Sequence, residues 1–243
     1  MVRRLPLVGR LGPDAIASAV ERGAIEMAAS GAAPAEMADQ ALAWLGEVID
    51  EAARQFPPGA PIACQEGCAF CCHLKVIATP AEVMTLFDHL RASLAPSDFS
   101  AFAERVRVAD ARTRGLGADA RAALQLACPV LVDGRCTGYA HRPLHCAGAN
   151  SFDRNACREA FENPAREVLV RHYPAQRIGA DAAAAGLSRA LFMTRRDGRM
   201  VELIAALRLL LDDETVRDRW ERGEQAFGPA VDRELEAMLL GGG

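Results

Sequence analysis

The distribution of the cysteines constrains this chain more than any other feature of its sequence. All eight cysteines lie between Cys64 and Cys157, and the long segments on either side contain none. A free cysteine packs like a small hydrophobic side chain, so cysteines that only fill a core would be scattered among the other apolar residues. Their confinement to one segment indicates that the thiols act together, as metal ligands or as disulfides.

Metal ligation accounts for this segment better than disulfides do. Apolar residues make up 51% of the chain, which can therefore bury a core without cross-links. Residues 1–12 have no apolar stretch of signal-peptide length, and no segment approaches the roughly 20 apolar residues that span a bilayer. We therefore expect a cytoplasmic protein with no membrane partner, in a compartment where structural disulfides are rare.

Four cysteines form a compact first group, Cys64-x3-Cys68-x2-Cys71-Cys72. Two cysteines spaced like Cys68 and Cys71 suit a tight loop that aims both sulfurs at one metal ion, and Cys64 is near enough to join them. Adjacent side chains diverge in helices and strands, so Cys71 and Cys72 are not expected to bind the same ion. Cys72 is expected to reach a second centre, to enter a polynuclear cluster or to act as a bridging thiolate.

A second group is spaced more loosely and consists of Cys128, Cys136, Cys146 and Cys157. Residues 129–132, followed by Asp133-Gly134, predict a strand and a tight turn, and this hairpin would bring Cys128 and Cys136 together. Two four-cysteine sites are the simplest arrangement of eight thiolates. Because an all-sulfur tetrahedral site suits zinc as well as iron, the cofactor is zinc, iron or an iron–sulfur cluster, with more than one metal ion expected.

The cysteine-free flanks are predicted to be helical. Apolar residues recur at helical spacing over residues 14–53, a Pro-rich linker follows at residues 57–61, and helical spacing returns from about residue 164 to the end. In the middle, Thr79 is predicted to cap a helix, with Glu82 closing a capping box. A further helix is predicted over residues 97–112.

The expected fold is mainly α, with helical bundle-like flanks around an irregular cysteine-rich metal-binding core that carries a short β-hairpin. The expected units are an N-terminal helical segment (1–60), the cysteine-cluster metal-binding core (61–160) and a C-terminal helical segment packed on the core (161–243). Neither a basic run nor an aromatic-basic stripe suggests a nucleic-acid partner, and the net charge is −4.

Other residues accompany the cysteines in a recognisable order. The matching positions are Cys64, Cys68, Cys71 and Cys72, then Cys128-Pro129-x-Leu131, Asp133-Gly134-x-Cys136, Tyr139-x2-Arg142-Pro143-x2-Cys146 and Cys157. Together they resemble the YkgJ-like cysteine-cluster family, which is described as zinc- or iron-chelating and has a CxxCxxCC signature. The resemblance implies that all eight cysteines are metal ligands and that Tyr139, Arg142 and Pro143 shape the loop that presents Cys146.

The chain departs from this family's pattern at two places. The first spacing, between Cys64 and Cys68, is three residues rather than two, so Cys64 could belong to another centre than Cys68. Ala147 stands where the family often has an arginine. The Cys64-x3-Cys68-x2-Cys71 layout also occurs in radical S-adenosylmethionine enzymes, but those resemble partial barrels with alternating strands and helices, which this sequence does not predict.

Three functions remain open from the sequence. The first is a metal- or cluster-binding protein with a structural or metal-handling role. The second is an iron–sulfur enzyme in redox or methyl-group transfer, because a similar cluster occurs in flagellin lysine N-methylases; it predicts a pocket lined by Tyr139, Arg142 and His145. The third is a zinc-stabilised interaction module whose helical flanks bind a protein partner. The sequence contains neither a glycine-rich nucleotide loop nor a clear nucleophile and base pair.

Overall fold

The computed structural model of the protein describes residues 3–6, 11–65 and 67–241, and the side chains as far as Ala237. Its described part is mainly helical, which confirms the predicted fold class. The helices are α1 Pro13–Ala29, α2 Pro34–Gln55, α3 Pro80–Ser93, α4 Pro96–Thr113, α5 Ala118–Ala123, α6 Leu144–Gly148, α7 Arg154–Glu162, α8 Pro174–Met193, α9 Leu203–Asp212, α10 Val216–Glu221 and α11 Arg233–Gly241. The strands are β1 Ile77–Ala78, β2 Leu131–Val132, β3 Arg135–Cys136 and β4 Val201–Glu202.

The N-terminal flank differs from the continuous helical pattern predicted over residues 14–53. It forms two helices, because Gly31 adopts a positive φ of 87° after α1 and Pro34 then begins α2. Proline suits the first position of a helix but cannot continue one that is already under way. The apolar stripe of α2 itself is buried as predicted, with Trp44 at its centre.

Two local predictions in the middle segment are confirmed. Thr79 caps α3 by accepting a hydrogen bond from the Glu82 backbone N–H, while Glu82 Oε2 accepts one from the Thr79 N–H at 2.7 Å. The hairpin also forms, with Leu131 of β2 opposite Cys136 of β3. Its turn residues Asp133 and Gly134 have φ values of 49° and 75°, and positive φ at both positions is typical of a two-residue hairpin turn.

The three parts of the sequence share one hydrophobic core. Helix α8 packs along α1, α2 and α6, so the C-terminal flank contacts both the N-terminal flank and the middle segment. A second short strand pair, β1 with β4, joins the middle segment to the C-terminal flank through the register Ile77–Glu202. Within the described ranges, no helix has the length and apolarity needed to cross a membrane.

The packing of α8 depends on small residues that let helix backbones approach closely. A Cβ added at Gly186 would lie 2.3 Å from the backbone oxygen of Ala17 in α1. We expect Gly186→Ala to reduce the free energy of unfolding by about 1–3 kcal/mol, because the helices must separate to accept the methyl group. Urea unfolding monitored by circular dichroism would measure this change.

Gly46 provides the matched control for that substitution. It is an exposed residue within α2, and an added Cβ would meet no atom within 4 Å. Gly46→Ala should therefore stabilise the protein by up to about 1 kcal/mol through helix propensity alone. If Gly186→Ala and Gly46→Ala changed the free energy of unfolding equally, the close approach of α1 and α8 would not restrict the size of the side chain at position 186.

Candidate metal centre

The first cysteine group lies on a loop that ends in a short 3₁₀ turn, Phe70–His73. The loop is anchored near its start, where the Ala63 N–H donates a hydrogen bond to the Ser151 carbonyl at 2.8 Å. Within this turn the adjacent thiols of Cys71 and Cys72 interact with each other.

The entry to the hairpin is joined directly to this turn. The Cys128 N–H donates a hydrogen bond to the Cys72 carbonyl at 2.8 Å. At the other end of the hairpin, a Cβ added at Gly134 would lie 3.9 Å from the Gly67 carbonyl oxygen. The hairpin therefore lies alongside the first cysteine group at both ends, and it carries Cys136 on β3.

Two short helices supply the remaining cysteines. Cys146 is on α6, whose first turn is held by a hydrogen bond from the Leu144 N–H to Glu82 Oε1 at 2.8 Å. Cys157 is on α7, one helical turn before Phe161, so that these two residues share a face. The Phe161 ring packs against Phe70 and His73, with ring centroids at 5.8 and 4.6 Å, and this contact brings α7 onto the 3₁₀ turn.

All eight thiols belong to one electrostatic network. Every cysteine is free of disulfides, and none is fully buried. Two thiols of the first group, Cys64 and Cys71, interact with members of the second group. The interacting sets are Cys64 with Cys68, Cys71 and Cys157; Cys146 with Cys71, Cys128 and Cys136; and Cys71 with Cys72 and Cys136.

The protonated form is favoured at three of the thiols, those of Cys71, Cys128 and Cys146. Burial raises the pKa of Cys128 to about 11 and raises the pKa of Cys146 well above the ordinary thiol value. The pKa of Cys71 is raised first by its hydrogen bond with Cys72 and then by burial. A metal ion must displace these protons to bind, so rising pH favours metal binding.

The donor chemistry fits a soft or borderline metal, but the thiols are not arranged as a finished site. Thiolates are the ligands preferred by zinc and by iron–sulfur clusters. Over the described ranges, no three His, Cys, Asp or Glu side chains already stand where they could hold a metal ion. Binding of a metal would therefore require the deprotonated thiols to move closer together.

The residues expected to line a catalytic pocket are Tyr139, Arg142 and His145. The Tyr139 side chain is 63% exposed, and the Arg142 guanidinium stacks on its ring at 3.8 Å. His145 lies against Asp181 of α8, with 3.4 Å between Nε2 and Oδ1. A cavity of about 400 Å³ opens elsewhere, between α3, α4 and α9, and its lining includes no cysteine.

Two buried charged residues hold the cysteine segments, and their roles were not identified from the sequence. Glu82 was assigned only as a helix cap, yet it also binds the first turn of α6. Arg121 lies in an alanine-rich stretch typical of an exposed helix, yet it is 1% exposed. Hydrogen bonds to distant backbone groups leave no periodic signal in a sequence.

No family model matches the chain, and neither a curated protein nor a solved structure matches it. The resemblance to the YkgJ-like family therefore stays a prediction based on the order and spacing of the motifs.

Proposed function

We propose that the protein binds metal through its eight cysteine thiolates, in a structural or metal-handling role. The observation that supports this proposal most directly is the set of contacts that joins the segments carrying the eight disulfide-free cysteines. The Cys128 N–H bonds to the Cys72 carbonyl, and Phe161 of α7 packs on Phe70 and His73 of the 3₁₀ turn. A reducing compartment such as the cytoplasm would keep them available for metal.

More than one metal ion is proposed, because eight thiolates exceed the four ligands of a tetrahedral ion. The position of Cys71 supports a bridging role, since its thiol interacts with members of both groups. Zinc, iron and iron–sulfur clusters all fit a donor set made of sulfur.

Anaerobic purification followed by metal analysis and visible spectroscopy tests the proposal. We expect about two zinc ions per chain, from four thiolates for each ion, or iron and sulfide with visible absorption if a cluster is present. Alkylation provides a matched measurement on the same sample: the metal-free protein should react at all eight thiols, and the loaded protein should be protected. A purified protein that holds no metal and takes up neither zinc, cobalt nor iron with sulfide at pH 8 would contradict the proposal.

A further inference from the structure

The most deeply buried cation of the described chain lies beside the cysteines. Arg121 is 1% exposed and is the only buried residue of α5, every position of which is described. A short helix whose one inward side chain is an arginine is unusual, because an arginine is almost never fully buried unless it is paired. Its burial therefore requires a partner for the charge.

The guanidinium connects the two cysteine groups through their backbones. Its Nη1 donates a hydrogen bond to the His73 carbonyl at 2.8 Å, next to Cys72, and its Nη2 donates one to the Leu126 carbonyl at 2.8 Å, two residues before Cys128. The direct bond from the Cys128 N–H to the Cys72 carbonyl joins the same two segments, since Cys72 precedes His73 and Cys128 follows Leu126 by two residues. Arg121 thus holds the segments from which both groups present their thiols.

The charge of Arg121 is not neutralised by a direct ion pair in the described structure. Among the described residues, its hydrogen bonds go to carbonyl groups and not to a carboxylate, and its Nε has no hydrogen-bond partner. Burial lowers the pKa of Arg121, and the charge of Glu202 acts in the opposite direction. A buried guanidinium whose hydrogen bonds go only to carbonyl groups is costly, since desolvation disfavours its charge.

We infer that Arg121 is a positioning residue of the metal centre, whose buried positive charge stabilises the metal–thiolate form over the metal-free form. This inference rests on the proposed function. A zinc ion with four thiolates carries a net charge of roughly −2, which would add negative charge beside a buried guanidinium that has no carboxylate among its hydrogen-bond partners. The bound metal–thiolate group would then stabilise the buried charge of Arg121, and that charge would stabilise the bound metal.

Zinc affinity and thermal unfolding of three variants test the inference. Arg121→Gln removes the charge, Arg121→Lys keeps it, and Arg105→Gln is the matched control. Arg105 donates from Nε to the Pro129 carbonyl at 2.9 Å, beside Cys128, but its side chain is only partly buried. Competition with a chromophoric chelator measures the affinity, and melting with and without zinc measures the stabilisation by metal.

We expect Arg121→Gln to weaken zinc binding about tenfold or more, which is the usual effect of removing a group that supports metal ligands. The increase in melting temperature caused by zinc should shrink in Arg121→Gln, each variant being compared with its own metal-free form. Arg121→Lys and Arg105→Gln should each stay within about threefold of the parent affinity.

Equal zinc affinity in Arg121→Gln and the parent, or a loss in Arg121→Lys as large as in Arg121→Gln, would overturn the inference. If Arg121→Gln does not fold, a tenfold loss in folded Arg121→Lys would overturn it as well. A parent protein that binds no zinc in the same assay would instead contradict a zinc centre itself, so the two failures are distinguishable.

Discussion

Cys71→Ser should remove more bound metal than any other single cysteine substitution. The Cys71 thiol is hydrogen-bonded to that of Cys72 and interacts with Cys64 in the first group and with Cys136 in the second. Because serine is a poor ligand for zinc and iron, both groups would lose a shared donor at once. We expect the metal content to fall from about two ions per chain to fewer than one.

Cys157→Ser is the matched control for this experiment. Cys157 lies at the edge of the network, where its described partner is Cys64. Its loss should leave the group of Cys128, Cys136 and Cys146 able to hold metal, with at least one ion retained. Metal analysis and alkylation of both variants after identical loading would make the comparison. Equal metal content in Cys71→Ser and the parent would show that Cys71 is not a ligand.

Glu82→Ala should be the most destabilising substitution of a polar residue in the middle segment. Glu82 is 4% exposed, and its carboxylate accepts hydrogen bonds from the Thr79 N–H, the Thr79 hydroxyl and the Leu144 N–H. Removing the carboxylate leaves three buried donors without a partner. At about 1–3 kcal/mol for each buried unsatisfied group, we expect a loss of about 3–5 kcal/mol in the free energy of unfolding, allowing for partial relaxation.

Glu36 allows the same capping interaction to be tested at the surface. Its Oε2 accepts the Ala33 N–H at 2.8 Å at the start of α2, but both residues are exposed. Glu36→Ala should therefore cost no more than about 1 kcal/mol, since water replaces the lost acceptor. Urea unfolding of the metal-free proteins would measure both values.

Glu82→Gln is a second test of this role, because the glutamine side chain keeps one acceptor oxygen. It should lose less stability than Glu82→Ala and retain the position of α6, which carries Cys146. A Glu82→Ala protein as stable as Glu36→Ala would contradict the role assigned to the buried carboxylate.

Local rules predicted much of the helical architecture. The Thr79–Glu82 capping box, the hairpin turn at Asp133-Gly134 and α4 all follow from residues that are adjacent in sequence. The break after α1 was also marked in the sequence, by Gly31 and Pro34, but the continuous apolar pattern concealed it. Such features depend on backbone preferences and side chains within about one helical turn, which a sequence displays directly.

The sequence predicted less about which of the cysteines interact with one another. The sequence indicated that the eight thiols act together and that Cys72 reaches a second centre, enters a polynuclear cluster or acts as a bridging thiolate; these stay predictions. The structure adds that Cys71, on the 3₁₀ turn, interacts with Cys72 and with Cys136 of the hairpin. The direction of a side chain on an irregular turn depends on the neighbours packed against it, here α7 through Phe161.

The sequence alone determined where the eight cysteines lie, how they are spaced and that the flanks are helical. Each of these features depends on residue type and short-range spacing. Only the tertiary structure decided that β1 pairs with β4, that Glu82 binds α6 and that Arg121 joins the two cysteine groups. These contacts link residues far apart in the chain through backbone groups that every residue possesses. Their partners are selected by packing around the shared core, and not by a pattern in the residues themselves.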